Sequence, residues 1–129
     1  MDKYDASNDH YCYSGTNTLK NKLDIKDMDT LEKAEREITA VTAKRIRFKY
    51  PPYDLSYMCM LHNLLFSDLY DWAGNIRNVD ISKGGTRFCN CQRIEPESKK
   101  LFDSLGKENW LQDLGKDLFC KKLAEYYCE

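Results

Sequence analysis

At Gly74 the spacing of the apolar residues changes from helical to alternating, and that change constrains the fold more than any other feature. Before it, apolar side chains recur every three or four residues from Leu55 onward, which predicts an amphipathic helix over residues 55–73. After it, alternate residues share a face from Ile76, which is typical of a strand. Glycine tolerates the left-handed conformation that ends many helices. The pattern therefore predicts a helix that leads directly into a hairpin, residues 76–88.

The predicted hairpin has a glycine-rich tip at Lys83-Gly84-Gly85-Thr86, where residues that tolerate positive φ allow a tight reversal. A two-stranded hairpin is marginally stable alone in water, so it must lean on the helices around Trp72. Its free edge would present unpaired backbone donors and acceptors to an approaching chain.

Four other segments show helical periodicity, and the predicted class is mainly α with one short β-hairpin. Asp29, Asp54 and Asp117 are predicted to cap helix N-termini, and Pro51 is predicted to end the segment before it. Residues 1–15 are polar and aperiodic, and we interpret them as an N-terminal arm. The other predicted helices cover about residues 16–23, 30–48, 96–105 and 117–129.

The charge balance and the N-terminus exclude several classes of partner. Twenty Lys and Arg residues face 21 Asp and Glu residues, a net charge of -1, so no overall field attracts nucleic acid or an anionic membrane. The basic run Lys44–Lys49 suits the C-terminal end of a helix, and a phosphate-binding patch is the alternative. No apolar run at the N-terminus resembles a secretory signal. We expect a single cytoplasmic domain that binds neither nucleic acid nor membrane.

The residues that most often carry chemistry do not form a recognisable site. The six cysteines are interpreted as reduced thiols, since Cys59 and Cys120 fall inside helical patterns. Cys89 and Cys91 would supply half of a zinc site, but the chain has two histidines and no second cysteine pair at zinc spacing. His62 lies among leucines without an acid spaced to orient it, so we interpret it as a core residue. No metal site is predicted.

Two stretches, DLYDWAG at 68–74 and VDISKGGTRF at 79–88, resemble the Fic family of protein adenylyltransferases. Residues 16–23, 31–40 and 123–129 are similar to the same family in the same order. The resemblance implies a Fic-like helical bundle that transfers AMP from ATP, with Mg²⁺, to a Ser, Thr or Tyr hydroxyl of a target protein.

The resemblance also implies that the hairpin is the flap, which lies beside the nucleotide pocket and holds the target by strand addition. Ile81 and Phe88 would clamp the target side chain. The alternative is that Lys83 and Arg87 are solvated charges at a loop tip. The implied target- and nucleotide-binding residues are Ile81, Ser82, Lys83, Gly84, Gly85, Thr86, Arg87 and Phe88.

The chain departs from the family in one respect: the catalytic loop His-Pro-Phe-x-x-Gly-Asn-Gly-Arg is not among the 129 residues. We therefore expect residues 16–129 to be an incomplete Fic domain, truncated before that loop, with no catalytic residue, weak ATP binding and no activity alone. A non-catalytic module that engages a partner by strand addition at the flap is the alternative. Uncovered apolar faces predict self-association, and inhibition by an antitoxin-type chain stays open.

Overall fold

The computed structural model describes residues 5–6, 10–83 and 85–127, with the backbone alone for residues 5–6 and 82–83. The predicted mainly helical class is confirmed. Two short 3-10 turns, Cys91–Arg93 and Asn109–Leu111, flank the third helix. The elements in chain order are β1 (Asp5–Ala6), α1 (Met28–Ala43), α2 (Leu55–Phe66), β2 (Ile81–Lys83), β3 (Thr86–Arg87), α3 (Ile94–Lys107) and α4 (Lys116–Tyr127).

The first two helices begin where an aspartate accepts a hydrogen bond from a backbone amide of the first turn. Asp54 caps α2, as predicted. In α1 the cap is Asp27 rather than Asp29, because the Asp27 carboxylate accepts from the amide of Thr30 at 3.0 Å. The helix therefore begins at Met28.

The predicted extension of α1 to residue 48 is wrong. The helix ends at Ala43, and short-range backbone bonds from the amides of Arg45 and Ile46 tighten its final turn. Phe48 and Tyr50 then pack edge to face outside the helix, with their ring centroids 4.9 Å apart. These two rings contact each other rather than extending the helical stripe.

The predicted extension of α2 to residue 73 is also wrong. The helix ends at Phe66, and the chain folds back in tight turns in which the amide of Tyr70 donates to the Phe66 carbonyl at 2.9 Å. These turns bury Leu69, Tyr70 and Ala73. Tight turns place apolar residues on one side at nearly the spacing of a helix, so the sequence pattern did not distinguish them.

Residues 16–23, predicted to be helical, instead return antiparallel to the segment before them. The amide of Lys20 donates to the Tyr11 carbonyl at 2.8 Å, and the amide of Tyr13 donates to the Thr18 carbonyl at 2.9 Å. One apolar pair at helical spacing contributes only about 0.2–0.5 kcal/mol to a helix. The hydrogen bonds between the two antiparallel segments therefore outweigh this small helical preference.

The last two helices lie close to their predicted positions. The third, predicted over 96–105, is α3, and the fourth is α4, in which Asp117 lies within the first turn rather than capping it. Residues 128–129 of the predicted helix lie outside the described residues. Glu108 accepts hydrogen bonds from Lys122 Nζ at 3.0 Å and from the Tyr126 hydroxyl. These bonds hold α4 against the end of α3.

The hydrophobic core lies between α1 and the turns that follow α2. Its buried members are Leu31, Leu69, Tyr70 and Ala73. Five partly buried side chains pack around them, namely Leu19, Ile25, Ile38, Phe66 and Trp72. The core thus supports the segment that leads into the hairpin.

Large apolar side chains remain exposed on α2 and α4. They are Met58, Met60 and Leu64 on α2, and Leu118, Phe119, Leu123 and Tyr127 on α4. Self-association through these faces stays a prediction. Across the described part of the chain, none of the helices has both the length and the apolar character needed to span a membrane.

Candidate functional site

The predicted hairpin is present, and its paired part is shorter than residues 76–88. Strands β2 and β3 run antiparallel, with Ser82 opposite Arg87 and Lys83 opposite Thr86. The two strands are therefore joined by a two-residue turn, the loop length most common in hairpins.

The tip and the base of this hairpin differ in what surrounds them. Gly85 has φ +85, and a Cβ added there would meet no atom of the described residues within 4 Å. At the base, the amide of Phe88 donates to the Ile81 carbonyl at 3.0 Å, so the two predicted clamp residues lie across from each other, Ile81 in β2 and Phe88 directly after β3. Thr86, Arg87 and Phe88 are exposed, while Gly84 lies outside the described residues. The binding roles assigned to residues 81–88 stay predictions.

A third strand, which the sequence did not predict, extends the sheet. Strand β1 pairs antiparallel with β2, with Asp5 opposite Ser82 and Ala6 opposite Ile81. The order is β1-β2-β3, so β2 is central. No described strand pairs with the outer edge of β3.

One tyrosine connects the arm that carries β1 to the hairpin approach, residues 75–80, which leads into β2. The Tyr11 hydroxyl donates to Asn78 Oδ1 at 2.9 Å and accepts from the Asn78 amide at 3.4 Å. Its ring lies edge-on to Trp72, with the centroids 5.8 Å apart. The arm thus contacts both the core aromatics and the hairpin approach.

The segment immediately before β2 was predicted to be a strand and is irregular instead. Two of its side chains bond to the chain that leaves β3. Arg77 donates to the Cys89 carbonyl, while the Asp80 carboxylate accepts from the Cys91 amide at 2.8 Å and from Asn90 Nδ2 at 3.0 Å. These bonds replace strand pairing and clasp the base of the hairpin, a role that sequence reasoning missed.

His62 and Asn63, near the C-terminal end of α2, hold the turn that precedes the hairpin. The Gly74 amide donates to His62 Nδ1 at 2.9 Å. Asn63 Nδ2 donates to the Ala73 carbonyl at 2.9 Å. Two successive backbone groups of the turn are therefore bonded to the helix. His62 is a structural residue of the site, as its position among leucines indicated.

The surroundings of His62 favour its neutral form. Its ring packs against Phe66 and Trp72, with centroid distances of 4.7 Å and 6.0 Å. Burial lowers the pKa of His62, and the negative charge of Glu35 opposes part of that shift. Since Nδ1 accepts the Gly74 bond, Nε2 carries the proton of the neutral ring, and protonation at Nδ1 would break that bond.

The stability of the chain is expected to fall as the pH drops below about 6.5, the ordinary pKa of imidazole. The folded state holds His62 below that value, so the unfolded state binds more protons and folding weakens on acidification. His62→Asn keeps an acceptor near Nδ1 without titrating, and should flatten the curve of unfolding free energy between pH 7 and pH 5. His10→Asn, at the other histidine, should leave the decline in place. If the unfolding free energies of His62→Asn and of the natural chain declined in parallel between pH 7 and pH 5, His62 would not be the source of the decline.

Tyr70 and Trp72 connect the core to the hairpin approach. Their rings stack with centroids 4.6 Å apart, and the Tyr70 hydroxyl donates to Glu35 Oε2 at 2.7 Å. Burial and this bond raise the pKa of Tyr70 far above its ordinary value, so the hydroxyl stays protonated and continues to donate. Trp72 Nε1 is buried, and it has no hydrogen-bond partner among the described residues.

The described residues offer no ready metal site. No group of three or more His, Cys, Asp or Glu side chains among them could hold an ion, Cys89 and Cys91 included. We therefore assign none of the described residues as a ligand for Mg²⁺.

Sequence comparison finds relatives along the whole chain, although no protein-family model matches it. Probable protein adenylyltransferase y4lH of Sinorhizobium fredii is 33% identical over 132 residues, covering 100% of this chain and 67% of that protein. Probable protein adenylyltransferase Fic of Salmonella typhimurium is 39% identical over 128 residues, covering 99% of this chain. The chain spans 64% of the length of that Salmonella protein.

Structural comparison finds similar folds in Bartonella effector proteins. BepC of Bartonella tribocorum, solved with bound AMPPNP, matches with a TM-score of 0.79 and 28% identity over 91% of this chain and 64% of that chain. The N-terminal Fic domain of a Bep effector from Bartonella quintana, solved with bound ADP, matches with a TM-score of 0.74 and 29% identity over 90% of this chain and 62% of that chain.

Proposed function

Because this chain belongs to the Fic family of protein adenylyltransferases, we propose that it supplies the flap side of an enzyme that transfers AMP from ATP to a target protein. The single observation that carries the proposal is the hairpin β2–β3, clasped at its base and supported by the turn at Gly74. An edge held in this way can align an extended target segment through backbone hydrogen bonds. Ile81 and Phe88 would contact the target side chain.

The hydrogen bonds that Arg77 and Asp80 make at the base of the hairpin give this edge the rigidity that is needed to position a target segment. Arg77 bonds to the carbonyl of Cys89 and Asp80 to the amide of Cys91, so the segments before β2 and after β3 are joined to each other. Bonds with a charged partner are stronger than neutral ones. A target segment added to such an edge would present its hydroxyl at a defined position, which is the main contribution that a protein makes to this kind of transfer.

The chemistry itself requires groups that we do not assign to these 129 residues. In the proposed transfer the target hydroxyl oxygen forms a bond to the α-phosphorus of ATP, pyrophosphate leaves, and the hydroxyl proton passes to a general base. His62 does not suit that role because its Nδ1 is bonded to the Gly74 amide and its ring is packed among aromatic side chains. A general base contributes about 10²- to 10⁴-fold to such a reaction. We propose that the base and the phosphate-binding groups belong to the motif His-Pro-Phe-x-x-Gly-Asn-Gly-Arg, which the 129 residues lack.

Incorporation of label from α-³²P-ATP tests the proposal. The 129-residue chain is compared with the same chain extended after Glu129 by a segment that carries the motif. The control is the same extension with alanine in place of the motif histidine. We expect the extended chain to label itself or a target, and the other two to label at least about 100-fold less. Labelling by the 129 residues alone would overturn the proposed inactivity, and an inert extended chain would overturn AMP transfer.

A second function, a non-catalytic module that binds a partner by strand addition, is favoured by the outer edge of β3, to which no described strand is paired. Gly85→Pro removes a backbone amide at the tip and should abolish capture of such a partner. A motif-bearing chain that captures a partner in this Gly85-dependent manner, yet transfers no AMP, would favour this function over the first.

A further inference from the structure

We propose that the N-terminal arm is a built-in occupant of the flap, and that a target strand must displace β1 in order to add to β2. The inference rests on the proposed function and names the competitor for its target site. It follows from the pairing of β1 with β2, from the fastening of the arm at Tyr11, and from the shortness of the paired strand.

Strand β1 covers the edge of β2 that faces away from β3. Ala6 lies opposite Ile81 and Asp5 lies opposite Ser82, so the arm pairs with two of the three residues of β2. Backbone donors and acceptors on a strand edge accept any extended segment that presents its own backbone. A target segment and the arm would therefore use the same groups and exclude each other.

Tyr11 keeps the arm close to that edge. Its hydroxyl bonds twice to Asn78, its ring contacts Trp72, and its carbonyl accepts from the amide of Lys20 at 2.8 Å. The anchor lies only a few residues beyond β1. A link this short gives an effective concentration of about millimolar, so a displaced arm would rebind quickly.

The arm is nevertheless suited to displacement. Its strand is two residues long, whereas β2 offers three residues from Ile81 to Lys83. A target segment that pairs along the whole of β2 forms more backbone bonds than the arm gives up. The arm would thus oppose short or poorly matched segments and yield to an extended one.

A titration followed by nuclear magnetic resonance tests the inference without ATP, and its outcome is independent of AMP transfer. The protein is the full ¹⁵N-labelled chain carrying Asp5→Pro and Ala6→Pro, which removes the backbone amides of β1. The probe is a synthetic peptide with the natural sequence of residues 1–9. The amide resonances of Ile81, Ser82 and Lys83 report binding at the edge.

The effective concentration sets the range of the titration. The arm can occupy the edge in the natural chain only if its dissociation constant as a separate peptide is about millimolar or lower. Several millimolar peptide must therefore bind an uncovered edge. We expect saturable shifts in the variant and at least about a tenfold weaker response in the natural chain. A peptide carrying both prolines matches the probe in length and should shift neither protein.

Two outcomes would overturn the inference: equal responses of the natural chain and the variant, or no response of the variant at several millimolar peptide. The Trp72 indole resonance checks that the variant is folded. If the double variant does not fold, Tyr11→Phe replaces it, because it removes the bonds to Asn78 and should raise the response to the peptide above that of the natural chain.

Discussion

Gly74→Ala is expected to lower the free energy of unfolding by about 2–5 kcal/mol, which combines backbone strain with a steric clash. Gly74 has φ +86, and an added Cβ would lie 2.8 Å from both Asn63 Cβ and the Cys59 carbonyl oxygen. One of these contacts is with backbone inside α2, which cannot yield without disturbing the helix. The turn would move away, and the bond between the Gly74 amide and His62 would be lost with it.

Gly85→Ala is the matched control for this prediction. Gly85 has nearly the same backbone angle, φ +85, yet across the described part of the chain nothing lies within 4 Å of an added Cβ. It should therefore show the strain alone, about 1–2 kcal/mol. Urea unfolding followed by tryptophan fluorescence measures both variants. Equal losses would show that the turn is not packed against α2.

Leu69→Ala is expected to destabilise the chain by about 2–5 kcal/mol, because the Leu69 side chain is fully buried and its removal leaves a cavity. Leu69 lies in the turns after α2 and packs with Leu31 of α1. Its carbonyl also accepts from the amide of Lys22 at 2.7 Å, which joins three segments at this point. Few side chains are fully buried among the described residues, so neighbours can compensate little for the loss.

Leu64→Ala supplies the comparison at an exposed position. The Leu64 side chain is 47% exposed and lies on α2, so its truncation should cost well under half as much as that of Leu69. Leu69→Met conserves the volume of the side chain and should lower the free energy of unfolding by less than about 1.5 kcal/mol. It shows whether position 69 tolerates a substitution that leaves no cavity. Similar losses for Leu64→Ala and Leu69→Ala would place the core elsewhere.

Signals confined to a few neighbouring residues predicted four of the five helices correctly, the exception being residues 16–23. Asp54 caps α2 because its side chain reaches the amide of Tyr57, a contact that depends only on residues three apart. The ends were less predictable. The apolar spacing runs past Phe66 without a break, and only the backbone hydrogen bonds of the structure show that turns replace the helix there.

The candidate site divides in the same way. The hairpin could be predicted because glycines at its tip and the change of period after Gly74 are local features. The clasp made by Arg77 and Asp80 could not, since their partners lie beyond the hairpin and isolated charged residues usually indicate solvated surface.

By itself the sequence determined that this chain is mainly helical, that a hairpin follows Gly74, and that its motifs resemble those of Fic proteins. The tertiary structure decided which edge of the hairpin is covered and what holds the hairpin in place. The reason is that these contacts depend on how segments come together in space, most clearly for Tyr11 and Asn78, which are 67 residues from each other. Hydrogen bonds over that separation satisfy backbone and side-chain groups without imposing any period on the sequence between them.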